Sequence, residues 1–358
     1  QPCNSATLPL FPMNFSDFLQ LNFRFAVTAQ AVTIQRILSG PQRPGWSWTF
    51  ESLIHFLRSQ APRGNRITAA QVRQLMEQVV LPPLGHNVTI RPAIGAPVPG
   101  QWVTAGPVDD ARLALFLHGG GYVAGSLRSY RGLTTALARA CGVRLLALDY
   151  RLAPEHPFPA ALEDVCDTYC WLLARDMNPD QIVLIGDSAG GGLAIAALIR
   201  LRDAGIPLPK AAVCLSPWLD LSLASPSIQA NNGVDYLNPD LVAACANLYL
   251  SGLDPHTPLA SPLYADLHNL PPLLIQVGSA ELFCDEAREF AQHAQAANVD
   301  VTLEVWDEMI HDWHMLQWLE PQARAAIAQI GAYVKKVLYQ EKKADSTHAR
   351  TTFILSSE

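Results

Sequence analysis

The feature that most constrains the fold of this chain is a serine flanked by glycines, in the run Gly186-Asp187-Ser188-Ala189-Gly190. This run follows the apolar stretch 181–185 and precedes a stretch rich in Ala and Leu at helical spacing. A serine on so tight a strand-to-helix turn needs strained backbone angles, and the flanking chain comes so close that positions two before and two after must be nearly free of side chain. The run therefore predicts a hydroxyl held at a helix N-terminus, where free N–H groups favour developing negative charge.

The surrounding chain, from about residue 110 to residue 335, alternates short apolar runs with longer amphipathic stretches. The predicted strands are 112–117, 143–148, 181–185, 211–215, 273–277 and 301–306. The predicted helices are 129–141, 160–176, 189–204, 285–298 and 322–338. Strand followed by helix, repeated in this way, predicts an α/β fold with a mostly parallel central sheet and helices on both faces.

Two regions fall outside this alternation. Residues 1–80 have apolar residues at helical spacing and are predicted to form an N-terminal cap segment. Residues 218–272 separate two successive strands by more than 50 residues, whereas a parallel crossover needs only about a dozen. Extra chain beyond the carboxyl end of a strand lies where ligands bind in open sheets. We therefore predict a catalytic domain over 81–338 with a helical cap built from both regions, and a polar C-terminal tail over 339–358.

Composition excludes several classes of protein. Lys and Arg number 25 against 32 Asp and Glu, a net charge of −7, which argues against binding to nucleic acid or to an anionic membrane. No run of about 18 apolar residues occurs, so we expect no integral membrane association. The seven cysteines are an odd number without a CxxC pair, which indicates buried, reduced thiols. The sequence leans towards an intracellular protein, although sequons at Asn14 and Asn87 leave secretion open, and it is compatible with a homodimer.

A second glycine-rich run, His118-Gly119-Gly120-Gly121-Tyr122, follows the predicted strand 112–117. Glycines have no Cβ, so backbone N–H groups can approach a substrate oxygen there. No P-loop Lys-Ser/Thr follows, and Ala124 breaks the dinucleotide-binding pattern G-x-G-x-x-G. An oxyanion hole explains this run better than a phosphate loop does.

These runs occur together with further motifs, and the combination resembles the hormone-sensitive lipase family of α/β-hydrolases. The motifs are HGGGY, DYRLAPEHPFPAALED, GDSAGG, LSPWLDLS and a late histidine after a strand, and they cover roughly residues 80–335. The resemblance implies the α/β-hydrolase fold, with Ser188 as a catalytic nucleophile. It also implies an oxyanion hole made by the N–H groups of Gly120, Gly121 and Ala189. In this family the run 149–155 supports the site structurally, so we assign no chemistry to it.

The family's catalytic histidine falls at His311, at the end of Asp307-Glu308-Met309-Ile310-His311 after the predicted strand 301–306. His314, three residues later, is the local rival for this role. If a helix begins here, the two side chains would share one face.

The acid is where this chain departs from the family, whose motif reads Asp-Pro-Leu-x-Asp after the penultimate strand. The corresponding segment, 278–286, reads GSAELFCDE. Register places Glu281 at the catalytic position and Asp285 at the second aspartate. Triads of this fold accept either carboxylate, but the extra methylene of a glutamate changes its reach. Glu281 is therefore the predicted acid, and Asp285 is the alternative.

These residues predict a serine carboxylesterase that hydrolyses small to medium esters through an acyl-enzyme and needs no metal or cofactor. Its expected partner is a small-molecule ester. One alternative is acyl transfer or other non-hydrolytic chemistry on a natural product in the same pocket. Another is a non-catalytic small-molecule receptor on a hydrolase fold. Such receptors lose the triad histidine, so the presence of both Ser188 and His311 weighs against that alternative.

Overall fold

A computed structural model of the chain describes residues 15–64, 66–78, 85–339 and 352–355. The chain divides into two compact units, residues 1–59 and residues 60–358. The first unit contains helix α1 (Phe15–Ser39) and almost all of helix α2 (Trp48–Gln60). Helix α3 (Ala69–Gln78) belongs to the second unit, together with all the strands.

A buried glutamate holds the first unit together. Glu51 lies on α2 and is fully buried, and its Oε2 lies 2.5 Å from Nη1 of Arg36 on α1. Its Oε1 accepts a hydrogen bond from the backbone N–H of Gln42, in the turn between the two helices, at 3.0 Å. Trp46 and Phe50 pack edge to face beside this pair, with ring centroids 5.6 Å apart. The charge of Glu51 is therefore satisfied by partners within its own unit.

In the described residues, nine strands form one sheet in the order β1-β2-β4-β3-β5-β6-β7-β8-β9. The strands are β1 (Val88–Pro92), β2 (Gly100–Ala105), β3 (Asp109–Leu117), β4 (Val143–Leu148), β5 (Ile182–Asp187), β6 (Ala211–Leu215), β7 (Leu273–Gly278), β8 (Val301–Trp306) and β9 (Thr352–Leu355). The pairs β1–β2 and β2–β4 are antiparallel, and every other pair is parallel. The predicted mostly parallel sheet is confirmed.

Helices cover both faces of the sheet, as the alternating pattern predicts. They are α4 (Arg131–Cys141), α5 (Ala160–Leu173), α6 (Ala189–Asp203), α7 (Ser227–Ala230), α8 (Pro239–Leu250), α9 (Cys284–Ala296) and α10 (Pro321–Tyr339). The second half of strand β3, residues 113–117, is apolar throughout and buried. Leu113, Leu115 and Leu117 pack into the core beneath α5, α6 and α9, while Ala114 and Phe116 pack into the core beneath α4 and α10. A central strand buried on both faces has no polar side.

Three strands were not predicted from the sequence. Strands β1 and β2 form an antiparallel edge, and β1 is largely exposed and carries Thr, Arg and Pro, so it has no continuous apolar run. Strand β9 pairs with β8 inside the segment that was predicted to be a polar tail.

The six cysteines in the described part of the chain are free thiols, five of them buried, and Cys3 lies outside the described residues. Among the described helices, none is long and apolar enough to cross a membrane.

The long connection between β6 and β7 contains α7 and α8, and α3 lies against α8. The carboxylate of Asp240 on α8 accepts a hydrogen bond from the N–H of Gly64 at 2.8 Å. The amide of Asn238 donates to the carbonyl of Pro62 at 3.1 Å. These bonds attach the chain before α3 to the beginning of α8. In the second unit, α3 and α8 are the helices that the predicted cap would include.

Candidate active site

Ser188 occupies the turn between β5 and α6 in a conformation that few side chains adopt. Its backbone has φ +56° and ψ −120°, which is strained for a residue with a Cβ. A Cβ added at Gly186 would overlap the carbonyl oxygen of Gly190, and one added at Gly190 would overlap the carbonyl oxygen of Leu117. Only glycine fits on either side, so these two residues allow the turn to form.

The serine hydroxyl faces His311. The Oγ of Ser188 lies 2.8 Å from Nε2 of His311, which follows β8 in sequence. Both side chains are buried, with exposed fractions of 5% and 2%. The hydroxyl does not cap helix α6, although it stands at the helix N-terminus. It is therefore free to exchange its proton with the imidazole.

Glu281 lies on the opposite side of the imidazole. Its Oε1 is 3.5 Å from Nδ1 of His311, an ion-pair distance longer than a normal hydrogen bond. Its Oε2 accepts hydrogen bonds from the hydroxyl of Ser216 and the N–H of Gly278, each at 2.8 Å. These two bonds fix the carboxylate beside the imidazole.

Asp285, the alternative acid, lies elsewhere. It is in the first turn of α9, its side chain is 38% exposed, and its Oδ1 is 3.5 Å from the guanidinium of Arg288. The structure brings Glu281, and not Asp285, to His311.

His314, the alternative histidine, is turned away from Ser188. Its Nε2 is 2.9 Å from the amide oxygen of Gln276 on β7, and it is completely buried. Burial lowers its pKa to about 3, with His311 adding to the effect, so the ring stays neutral. Its buried contact with Gln276 on the interior strand β7 is that of a structural residue.

The charges around His311 set its protonation. Burial favours the neutral ring, but the carboxyl groups of Asp312 and Glu281 outweigh burial and raise the pKa of His311 well above its usual value. Burial raises the pKa of Glu281, against the opposing effect of His311, Gly278 and Ser216. The imidazole is therefore held between two acids.

The glycine run after β3 borders the serine. Gly120 and Gly121 have φ values of +111° and +63°, and both line the same pocket as Ser188. Within the described ranges, the N–H groups of Gly120, Gly121 and Ala189 donate to no backbone carbonyl. Three N–H groups thus lie near the serine without a carbonyl partner, the arrangement that an oxyanion hole requires.

His118 and Tyr150 hold this glycine run. The two rings stack with centroids 4.2 Å apart, and the hydroxyl of Tyr150 donates to the carbonyl of His118 at 2.7 Å. Burial lowers the pKa of His118 to about 4, so its ring is neutral. The N–H of Ala153 donates to the carbonyl of Tyr122 at 2.9 Å. The run 149–155 thus supports the glycine loop through backbone and stacking contacts.

A pocket that is partly open to solvent lies above Ser188 and His311. Its walls are mainly apolar and come from α3, from the connection between β6 and β7, and from α9's N-terminal side: Val72, Leu75, Met76, Trp218, Leu237, Leu241, Val242, Cys245 and Phe283. Tyr236 and Asp312 are its other polar side chains. In the described part of the chain, no group of three or more His, Cys, Asp or Glu side chains is arranged to hold a metal ion.

Sequence reasoning missed Asp235, which ties two catalytic loops together. It is fully buried in the connection between β6 and β7. One carboxylate oxygen accepts the N–H of Leu282 at 3.0 Å, and the other accepts the N–H of His311 at 3.3 Å. Burial raises its pKa to about 7. No local pattern marks this residue, because its partners are 47 and 76 positions away.

Ser216 and Asp312 were also missed. Ser216 follows β6 with φ +42°, and its hydroxyl both donates to Glu281 and accepts the N–H of Asp312 at 3.2 Å. The Oδ2 of Asp312 lies 3.1 Å from Nε2 of His311. Asp312 adjoins His311 in sequence, so a search for acids beside the histidine could have found it.

Comparisons with known proteins identify the family of this chain. A family model described as "alpha/beta hydrolase fold" matches residues 114–315. An acetyl-hydrolase of Streptomyces hygroscopicus is 47% identical over 253 residues, which are 68% of this chain and 84% of that protein. An esterase of Acinetobacter venetianus is 33% identical over 291 residues, 80% of this chain and 96% of that protein.

Solved structures agree as well. A crystal structure of an esterase from the bacterial hormone-sensitive lipase family superposes with a TM-score of 0.77 at 44% identity. The match covers 82% of this chain and 99% of that one. At this identity and coverage, the likeness extends beyond fold to sequence.

Proposed function

The chain belongs to the hormone-sensitive lipase family of α/β-hydrolases, and from this premise we propose that it hydrolyses small to medium carboxylic esters with Ser188, His311 and Glu281 as its catalytic triad. That it is a carboxylic ester hydrolase follows from its esterase relatives. The observation that carries the choice of residues is the 2.8 Å contact between Ser188 and His311 at the floor of an apolar pocket.

In the first half of the reaction, the Oγ of Ser188 attacks the ester carbonyl carbon while Nε2 of His311 takes the hydroxyl proton. The carbonyl oxygen becomes an oxyanion and accepts hydrogen bonds from the N–H groups of Gly120, Gly121 and Ala189. His311 then gives its proton to the leaving alkoxide, which departs as the alcohol, and the acyl group stays on Ser188.

In the second half, His311 takes a proton from water, and the resulting hydroxide attacks the acyl-enzyme. Collapse of this second intermediate releases the acid and returns the proton to Ser188. The carboxylate of Glu281 faces Nδ1–H of His311, which keeps Nε2 free as the base and stabilises the imidazolium. The fixed carboxylate of Glu281, bonded to Ser216 and Gly278, supports this role.

The pocket supports small to medium esters as substrates. Its walls are mainly apolar, with few polar side chains near Ser188, as in many small-molecule sites. An apolar wall gains about 0.8 kcal/mol for each CH₂ that it buries. We therefore expect kcat/KM to rise from acetate to a medium-chain ester and to fall once the chain exceeds the pocket.

A chain-length series tests this proposal. The p-nitrophenyl esters from acetate to decanoate should be hydrolysed with an optimum below decanoate, and analysis of the products should give the free acid. Recovery of a new ester from an added alcohol, in place of the acid, would favour acyl transfer instead.

Ser188→Ala is the matched variant. An organophosphonate should add once per chain to the wild type, detected by mass, and should not add to Ser188→Ala. The variant should lose turnover by about 10³- to 10⁶-fold. Labelling or turnover that persists in Ser188→Ala would remove the nucleophile from the mechanism, and absence of turnover in the wild type would refute hydrolysis itself.

A further inference from the structure

We propose that Asp312 is a second acidic partner of His311, acting at Nε2, and that a protonated Asp187 holds it there. This inference rests on the proposed function, because it concerns the nitrogen that moves the proton between Ser188 and the leaving group. The triad predicted from sequence contains one acid, Glu281, on the Nδ1 side. The geometry adds a pair of carboxyl groups on the other side.

The first observation is the position of Asp312. Its Oδ2 is 3.1 Å from Nε2 of His311, closer than the 3.5 Å between Glu281 and Nδ1. Asp312 lines the pocket with Ser188, and its backbone φ is +50°, in the left-handed region that most side chains avoid. Its N–H is bonded to the hydroxyl of Ser216, which also bonds Glu281. A strained backbone held by these contacts aims a carboxylate at the reacting nitrogen.

The second observation is Asp187, the residue before the nucleophile. It is completely buried on β5, and its Oδ2 accepts a hydrogen bond from the hydroxyl of Tyr130 at 2.8 Å. The neighbouring carboxyl group of Asp312 contributes to raising the pKa of Asp187. In the described structure, Oδ1 of Asp187 and Oδ1 of Asp312 are both buried without a hydrogen-bond partner. One proton between the two carboxyl groups gives each of them a partner.

Asp187 is the member of the pair that holds the proton. Burial, together with the neighbouring charge of Asp312, raises the pKa of Asp187 well above its usual value. Two adjacent carboxyl groups cannot both ionise easily in a buried place. A neutral Asp187 donates to the carboxyl group of Asp312, whose Oδ2 faces Nε2 of His311.

The other groups around His311 do not replace Asp312 at Nε2. Glu281 lies at Nδ1, and Asp235 accepts the backbone N–H. Tyr236, with its ring centroid 6.1 Å from the imidazole, has a raised pKa because of burial and stays neutral. His314 is neutral for the reason given above.

The consequence is a competition for one proton. At low pH, Asp312 holds the Nε2–H of the imidazolium, and His311 cannot accept the proton of Ser188. As pH rises through the raised pKa of His311, the imidazole loses this proton and becomes the base. We therefore expect the acid limb in the pH profile of kcat/KM to have its midpoint, in the wild type, above the ordinary histidine pKa of about 6.5.

Asp312→Asn tests the inference, because it removes the charge and keeps the shape. An opposite charge at this range shifts a pKa by about 1–3 units, so the acid limb should move down by at least about one unit. The readout is the position of the acid limb and not the rate at the plateau, because a merely structural role of Asp312 would leave that limb in place. The substrate is p-nitrophenyl acetate, followed from about pH 5 to 9, the range in which a perturbed histidine titrates.

Two further variants make the result specific. Asp187→Asn imitates the protonated carboxyl, so its acid limb should stay within about half a unit of the wild type. Asp285→Asn is the matched control, because it also removes one negative charge, but from a partly exposed side chain. The acid limb of Asp285→Asn should stay as close to that of the wild type as the acid limb of Asp187→Asn does.

The titration of His311, followed by NMR in histidine-labelled protein and assigned by its loss in His311→Gln, gives a readout that does not need turnover. A high value in the wild type that falls in Asp312→Asn supports the inference, even if no ester is hydrolysed. An unchanged value in Asp312→Asn overturns it. If Asp312→Asn does not fold, the wild type decides alone, since a value at or below about 6.5 overturns the inference. If the acid limb of the pH profile moves as far in Asp187→Asn as in Asp312→Asn, Asp187 is charged in the wild type. That result would overturn the role assigned to Asp187.

Discussion

Replacing Glu281 by Gln is the perturbation that best tests the proposed triad, because it keeps the volume of the side chain and removes its charge. The amide oxygen of Gln would take the place of Oε2, where Ser216 and Gly278 both donate. Its NH₂ group would then face Nδ1 of His311. A donor at this position favours the tautomer with hydrogen on Nε2, and that nitrogen could no longer accept the proton of Ser188.

The size of the effect follows from the distance. At 3.5 Å, a carboxylate and an imidazolium attract each other by about 5 kcal/mol at an effective dielectric constant of about 20. At about 1.36 kcal/mol for each factor of ten, losing this attraction in the transition state lowers kcat by about 10³- to 10⁴-fold. The comparable acid-to-amide change in a serine triad costs about 10⁴-fold. We expect a loss of about 10²- to 10⁴-fold, because the surroundings of a buried charge rearrange in part.

The assay is kcat on p-nitrophenyl acetate at a pH on the plateau, together with the rate of phosphonate labelling of Ser188. Both should fall in Glu281→Gln, while thermal unfolding confirms that the variant is folded. Glu281→Asp should keep part of the activity, because it retains the charge at a shorter reach.

Asp285→Asn is the paired variant, with the same chemical change four residues away. It removes a carboxylate from the first turn of α9, which is worth about 0.3–1 kcal/mol of stability, and should leave kcat close to that of the wild type. If Asp285→Asn were inactive and Glu281→Gln nearly normal, the acid would be Asp285 and the reasoning from register and distance would be refuted.

Two further variants test the turn and the pocket. Gly190→Ala should lower the free energy of unfolding by about 1–3 kcal/mol, measured by denaturant titration, because the new Cβ would overlap the carbonyl of Leu117. In an open helix the same substitution would stabilise the protein by about 1 kcal/mol. A gain in stability would therefore contradict the close approach of Leu117 to Gly190. Val242→Trp should lower kcat/KM on the octanoate ester at least about tenfold relative to acetate, because Val242 lines the pocket. An unchanged chain-length profile would mean that the acyl chain lies elsewhere.

The strands and helices that hold the serine could be predicted from the sequence because their signals are local. Strand β5 is a continuous apolar run, and the glycines at 186 and 190 mark the turn that follows it. Glu281 was predicted through the family resemblance, whose acid motif follows the penultimate strand, and the structure places it just beyond the end of β7. For these elements, neighbouring residues contain the information.

The missed features depend on contacts between distant residues. Strand β1 is largely exposed, so neither alternation nor an apolar run marks it. Asp235 contacts the acid and histidine loops only after the sheet has brought them together. The bond from the N–H of Asp312 to the hydroxyl of Ser216 likewise joins a loop to a strand end 96 residues earlier. Such pairs have no periodicity, and the fold alone creates them.

The position of Asp235 limits how this enzyme can be re-engineered. The connection between β6 and β7 supplies walls of the substrate pocket, so it is the natural segment to exchange between related esterases when a new specificity is wanted. The same segment also supplies the acceptor for the N–H groups of Leu282 and His311. A transplanted segment without an acid at this position would leave two buried donors unsatisfied, at a cost of about 1–3 kcal/mol each. Successful chimaeras must therefore inherit the pocket wall and this carboxylate as one unit.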